Sequence, residues 1–250
     1  MSPTKQKWFF LRGLVREAGH WSGFLERFER AFPGHEAIPL DLPGNGVHFR
    51  EQSPLTVGGM TEKVRAEFLK KKGEDNHLFA LSLGAMVALE WLHRWPDDIK
   101  SAVLVNTSVR GLSPLHRRLR PGNYPRIAKM LFSGQPAFLE KSILEMTSND
   151  RTRHAELTDA WVKIHDARPV SRANSVRQLL AAARFHPPRE RPSLPLLILN
   201  GAGDRLVHPS CSQEIAKHWK IPVSIHPTAG HDLTLDDPDW VIGQLRSFLA

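Results

Sequence analysis

Ser82 stands at a junction that can make a hydroxyl reactive. The residues before it, Leu78-Phe79-Ala80-Leu81, form a short apolar run, and Leu83-Gly84-Ala85 open a helical pattern with small side chains. A serine between a buried strand and a helix sits in a tight, strained turn with its Oγ clear of the sheet, the arrangement written G-x-S-x-G. The flanking positions come so close to neighbouring backbone that only small residues fit. Here they are Ala80 and Gly84, and Ala80 departs from the pattern by one methyl group. The helix start directs unbonded N–H groups at an oxyanion forming beside Ser82. The chemistry expected is nucleophilic attack on a carbonyl. A serine hydroxyl is a weak nucleophile near neutral pH, so it needs a base within hydrogen-bond reach. Histidine suits that task because its pKa of ~6.5 lets it take up a proton and return it. An acid must then hold the imidazole in the right tautomer. The competing reading makes Ser82 a small residue in a buried turn and nothing more.

Such a turn needs a sheet to stand on. Short apolar runs at Trp8–Leu11, Ala37–Leu40, Leu78–Leu81, Ala102–Asn106, Leu196–Asn200 and Val223–His226 predict six strands. They alternate with helical patterns near Gly23–Phe32, Thr56–Lys71, Ala85–Trp95, Cys211–Trp219 and Pro238–Leu249. That alternation predicts an α/β fold: a mostly parallel sheet with helices on both faces. Residues 110–189 break the rhythm. Helical patterns around Arg126–Phe132, Pro136–Thr147, Arg153–Asp166 and Ser171–Phe185 follow one another without a strand. The expectation is a core of residues 1–109 and 190–250 with a helical cap, residues 110–189, inserted between two strands. The proline-rich stretch from Pro187 to Pro192 returns the chain to the core.

The 250 residues are 41% hydrophobic and 24% charged, the balance of a globular chain. No stretch approaches the ~20 apolar residues of a membrane helix, and Trp8–Leu11 is too short for the core of a signal peptide. A single cysteine, Cys211, excludes an internal disulfide and a thiolate metal site. Cytoplasmic residence is the resulting expectation. No histidine pair shows metal-ligand spacing, so neither a metal nor a cofactor is expected. The net charge of +8 resides in one place: residues 110–189 hold 15 Lys+Arg against 6 Asp+Glu, while the rest is nearly balanced. That points to an anionic substrate or partner. A pI near 9.9 alone does not make a nucleic-acid binder, and no recognised nucleic-acid motif is present.

The chain resembles the α/β-hydrolases along nearly its whole length. Trp8-Phe9-Phe10-Leu11-Arg12-Gly13-Leu14 with Trp21 is similar to that family's strand–His-Gly–loop–Trp segment. Asp41-Leu42-Pro43-Gly44-Asn45-Gly46 resembles its D-x-P-G-x-G loop. Asn200-Gly201-Ala202-Gly203-Asp204 resembles the strand end that bears the catalytic acid, and Ala229-Gly230-His231 the turn that bears the histidine. The resemblance implies a catalytic triad of Ser82, Asp204 and His231 in the family's order, with Asp232 and Asp236 as alternative acids. It implies oxyanion donors at the backbone amides of Leu14 and Leu83. Two departures matter. Arg12 replaces the usual histidine and adds a positive charge near the pocket, and the family's opening hairpin is missing or reduced.

Dehalogenases and epoxide hydrolases of this fold carry an aspartate at the elbow, so Ser82 argues against both. The short chain, compact cap and Ala80-Leu81-Ser82-Leu83-Gly84 elbow look most like serine carboxylesterases of the pimeloyl-acyl-carrier-protein methyl ester carboxylesterase type. That resemblance implies hydrolysis of a carboxylic ester through an acyl-enzyme, on a small-molecule ester or one borne by an acidic carrier protein. Arg110, Arg117, Arg118, Arg120, Arg126, Arg172 and Arg177 are the candidate carrier contacts. Trp21, Arg12, Phe132 and Leu206 are expected to bind substrate, with Leu14, Leu83, Leu131 and Phe138 also lining the pocket. His20 is a further pocket candidate, whereas His208 and Cys211 read as structural. The alternatives are a lyase like the menaquinone-pathway synthase, which binds polyanions with arginines, and a non-catalytic binding protein.

Overall fold

Alternate residues of each strand face opposite sides of a sheet, and both sides are apolar here. The computed structural model, which describes residues 5–250, contains six strands: β1 Gln6–Leu11, β2 His35–Leu40, β3 Asn76–Leu81, β4 Ser101–Val105, β5 Leu196–Gly201 and β6 Val223–His226. They form one sheet in the order β2-β1-β3-β4-β5-β6, every neighbouring pair parallel. Every residue of β3, β4 and β5 is buried.

The helices are α1 Phe24–Ala31, α2 Val57–Leu69, α3 Leu83–Arg94, α4 Leu115–Arg118, α5 Tyr124–Phe132, α6 Pro136–Thr147, α7 His154–Ala167, α8 Arg172–Arg184, α9 Ser210–Trp219, α10 Leu233–Asp236 and α11 Pro238–Leu249. Phe9, Leu78, Leu104 and Ile198 pack with Met60, Trp91 and Ile215 of α2, α3 and α9 on one face. Trp8, Phe10, Phe79 and Val103 pack with Phe24, Phe28 and Leu245 of α1 and α11 on the other. The α/β architecture and the six-stranded sheet are as the hydrophobic pattern predicts. Helix α3 begins two residues earlier than its pattern suggests, because Ser82 itself turns the chain from strand to helix. The four-residue α4 and α10 are too short to leave a periodicity. Helices α4 to α8 all lie between β4 and β5 in the chain. No helix of the described residues is long and apolar enough to cross a membrane.

At the amino end of the sheet a histidine is buried as part of the packing. His77 stacks on Trp8, with ring centroids 4.9 Å apart, and its Nδ1 shares a hydrogen bond with Ser101 Oγ at 2.8 Å. Burial, and secondarily the nearby His35, lower its pKa to about 4. An unfolded chain takes up that proton below about pH 6.5, whereas the folded one resists it down to about 4. The neutral ring therefore contributes its full stability above pH ~6.5, and the contribution shrinks as the pH falls towards 4. Between pH 7.5 and 5 the loss amounts to ~2 kcal/mol. Urea unfolding of His77→Phe should show a smaller loss over that range than wild type, by about this amount; parallel pH profiles would contradict the assignment.

Candidate active site

Ser82 adopts φ 58° and ψ −115°, a region that side-chain-bearing residues avoid. The turn is held from several sides. Ser82 N–H donates to Val105 O of β4 at 2.9 Å, Thr107 Oγ1 donates to Ser82 O at 3.0 Å, and the amides of Ala85 and Met86 reach the same carbonyl. Gly84 is obligatory for contact reasons: a Cβ there would lie 2.6 Å from the carbonyl oxygens of Leu11 and Arg12. A Cβ on Gly13 would lie 3.1 Å from Ser82 Cβ, so the loop after β1 rests directly against the elbow. Neither the Leu14 nor the Leu83 amide finds an acceptor among the described residues. Both residues line the same cavity as Ser82.

His231 and Asp204 meet across loops 27 residues apart. His231 Nδ1 and Asp204 Oδ2 are 2.7 Å apart, and both side chains are buried. The other oxygen, Asp204 Oδ1, accepts from the amides of Leu206 and Val207 at 2.8 and 2.9 Å. A Cβ on Gly201 or Gly203 would collide with the carbonyls of Ala229 and Thr228, so these glycines let the two loops pack. The other two acids are engaged elsewhere: Asp232 with Arg12, and Asp236 with the amides of Gly230 and Asn149. Asn106, which the sequence reading passed over, ties the assembly together. From a left-handed backbone at the end of β4, its Nδ2 donates to the carbonyls of Gly230 and His231, and its Oδ1 accepts from Gly201 N and Asn200 Nδ2. No hydrogen bond is formed between Ser82 Oγ and His231; the two line one cavity. Such contacts are often long before substrate binds.

That cavity, about 380 Å³, is walled mainly by apolar side chains, among them Leu83, Met86, Met130, Leu131, Ile143 and Leu179. Leu14 and Leu206 line it as expected. Trp21 does not: its ring packs against Phe10 and Phe24 in the core beneath the loop. Phe132 does not either, being 83% exposed at the end of α5, because one helix face turns Leu131 inward and its neighbour outward. His20 is buried away from the cavity, its Nδ1 accepting from Glu17 N, and burial followed by Arg16 and Arg12 holds it well below the ordinary histidine pKa. Cys211 is buried in α9, and burial pushes its thiol up.

Arg12 reaches the cavity wall, but its guanidinium is not free for substrate. Nη1 and Nη2 clasp Asp232 at 3.1 and 2.6 Å, with both partners buried, and the guanidinium carbon lies 4.9 Å from the centroid of the Trp21 ring. Burial alone would raise the Asp232 pKa; the Arg12 charge overrides it and holds the carboxyl below the usual range. The pair joins the loop after β1 to the residue following His231. Its expected role as a substrate-binding charge therefore gives way to one of holding two loops together. Removing one partner leaves an unpaired buried charge, which costs about 3–5 kcal/mol. Arg12→Met should lose that much stability in urea unfolding, and Arg12→Met with Asp232→Leu should recover most of it. A single variant as stable as wild type would remove the pair from this role.

No curated protein matches the chain in sequence. Solved structures match it in shape. A hydrolase from Pseudomonas aeruginosa superposes with a TM-score of 0.79 at 19% identity, over 100% of this chain and 91% of that one. The enol-lactonase from Burkholderia xenovorans gives 0.78 at 16%, over 98% and 91%. A thermophilic esterase from Thermogutta terrifontis gives 0.73 at 19%, over 98% and 90%. At such identities the likeness establishes the fold. The model of the alpha/beta hydrolase family matches residues 9–244, nearly the whole chain, and the protein belongs to that family.

Proposed function

We propose that the protein is a serine hydrolase that cleaves carboxylic esters through an acyl-enzyme on Ser82. The observation that carries the reading is the buried Asp204–His231 pair opening onto the same cavity as Ser82 at its strained turn. Ser82 Oγ attacks the ester carbon while His231 Nε2 takes the hydroxyl proton. Asp204 keeps the opposite ring nitrogen protonated and stabilises the imidazolium. The carbonyl oxygen, now negative, lies between the amides of Leu14 and Leu83. When the tetrahedral adduct collapses, the C–O bond to the alcohol breaks and His231 returns its proton to the departing oxygen. Water then repeats the sequence in reverse and releases the carboxylic acid.

The wall chemistry favours a neutral ester with an apolar acyl group. Arg12 is bound to Asp232, Arg16 to Glu140, and Arg118 to the carbonyls of Ala182 and Ala183, so the buried guanidinium groups around the cavity already have partners. A lyase acting on a polyanion would need them free. The arginines expected to meet a carrier protein divide in the same way. Arg120 and Arg177 donate to backbone carbonyls, Arg126 pairs with Glu145, and Arg172 reaches Ser133 O at 3.5 Å. Arg110 and Arg117 are exposed and have no side-chain partner among the described residues, and a carrier-borne ester would rest first on their charge.

A paraoxon-type ester should label the protein stoichiometrically at Ser82 by intact mass and peptide mapping, and His231→Ala should abolish the adduct. That variant should also lower kcat on p-nitrophenyl esters by roughly 10⁴-fold or more. Labelling elsewhere, or none, would count against the acyl-enzyme. In the same assay, Arg110→Glu with Arg117→Glu should leave free-ester turnover intact. Loss of activity on an acyl-carrier substrate alone would establish the carrier arm, and equal activity would dismiss it.

A further inference from the structure

The loop that supplies the Leu14 amide is strained, and the residue that holds it belongs to the inserted helices. Gly13 to Arg16 form a turn closed by Arg16 N–H donating to Gly13 O at 3.3 Å. Because Gly13 O points into the turn, the Leu14 N–H at the other end of that peptide points out of it. Gly13 lies against Ser82. The third turn residue, Val15, has φ 54°. That position normally takes glycine or asparagine, and a β-branched side chain there is an outlier. Rotating the Leu14–Val15 peptide by half a turn would bring Val15 to an ordinary negative φ.

What opposes that rotation is Gln178, a fully buried residue of α8 that lies 163 positions from Val15 in the chain. Its Oε1 accepts the Val15 N–H at 2.9 Å. Its Nε2 donates to Asn45 Oδ1 at 2.7 Å and to Ser53 Oγ at 3.1 Å, so the amide orientation is set by three partners. Asn45 in turn donates through Nδ2 to Arg16 O at 2.9 Å, closing a ring of bonds around the turn. One helical turn earlier, Asn174 accepts from Ser53 N and donates to Glu51 O, which anchors α8 to the same loop.

We propose that Gln178 is a positioning residue for the oxyanion hole: by anchoring the strained turn at the Val15 N–H it fixes the adjoining Gly13–Leu14 peptide, and with it the Leu14 amide, beside Ser82. The inserted helices then complete the catalytic machinery of the core as well as walling the cavity. The proposal rests on the acyl-enzyme reading above.

Gln178→Met keeps the side-chain bulk and removes the acceptor. On p-nitrophenyl esters its kcat should fall about 10- to 100-fold with KM within about twofold, the size of effect that misplacing an oxyanion donor produces. Affinity for a trifluoromethyl ketone, which adds to the serine as a tetrahedral oxyanion, should fall by the same factor. Val15→Gly, introduced into Q178M, removes the strain and should recover most of the lost kcat. Gln178→Glu keeps an acceptor for Val15 while losing the donors to Asn45 and Ser53. Its kcat should exceed that of Q178M even if its melting temperature is lower, and this comparison carries the test should Q178M not fold. Unchanged kcat in Q178M, a loss confined to KM, no recovery with Val15→Gly, or equal losses in Q178M and Q178E would each overturn the proposal. Paraoxon labelling of the wild type separates the two readings. A wild type that is not labelled at Ser82 removes the acyl-enzyme and this proposal together; a labelled wild type with an unaffected Q178M removes only the role of Gln178.

Discussion

The chain must leave β3 at full burial, reverse at Ser82 and enter α3 without a gap, and the space for that is set by backbone alone. Gly84 lies against the carbonyls of Leu11 and Arg12, and Gly13 against Ser82 itself. A side chain at either glycine would push β1 and β3 apart at the end where they are adjacent strands of the sheet. The unfavourable dihedrals of Ser82 are sustained because Val105, Thr107 and the first turn of α3 all bond to it. From that constraint follow the exposure of the serine to the cavity, the unbonded amides beside it and the need for loops from β1, β4, β5 and β6 to gather at one edge. Those loops gather there because every strand is parallel, so all carboxyl ends lie on the same side.

Charge within the molecule is organised around the same edge. Arg12 with Asp232, Arg16 with Glu140, and Glu17 with Arg168 are ion pairs in which at least one partner is buried. Each ties the short segment of residues 12–17 to a different element: the loop after β6, helix α6, and the end of α7. Buried pairs contribute little net stability, since desolvation offsets much of the attraction, but they penalise any arrangement that separates them. Their effect here is to specify one position for the segment that carries the Leu14 amide. Within residues 110–189, Arg118, Arg120 and Arg177 bond to backbone carbonyls, yet most of the basic residues there, Arg110 and Arg117 among them, are exposed and keep their charge at the surface.

The inserted helices and the core share polar bonds as well as an apolar cavity. Trp161 of α7 donates to Ser22 Oγ, and the Arg16 guanidinium carbon lies 5.1 Å from the centroid of its ring. With Gln178 and Asn174 on α8, the insertion touches residues 15 to 22 and 45 to 53 through directional groups. Directional contacts transmit position in a way that a greasy interface does not, because they weaken steeply with small misalignment.

Local chemistry was legible in the order of residues. Apolar runs of strand length marked all six strands. The central β3, β4 and β5 are buried on both faces and have no other composition open to them, while the edge strands β2 and β6 are only partly buried. Ser82, Asp204 and His231 could be singled out because each sits in a short stretch whose small neighbours are demanded by close packing, and the fold brings His231 against Asp204 and onto the cavity that Ser82 lines. Other features depended on partners far away in the chain. The Arg12–Asp232 bond spans 220 positions, Val15–Gln178 spans 163 and Asn106–His231 spans 125, and nothing local distinguishes a buried arginine, glutamine or asparagine from an exposed one. Trp21 and Phe132 are large apolar residues near the site in sequence, yet one belongs to the core and the other to solvent. Their placement turned on which side of a loop or helix faced the cavity. Periodicity determines that a helix has an apolar face; only the assembled sheet and insertion decide what that face meets.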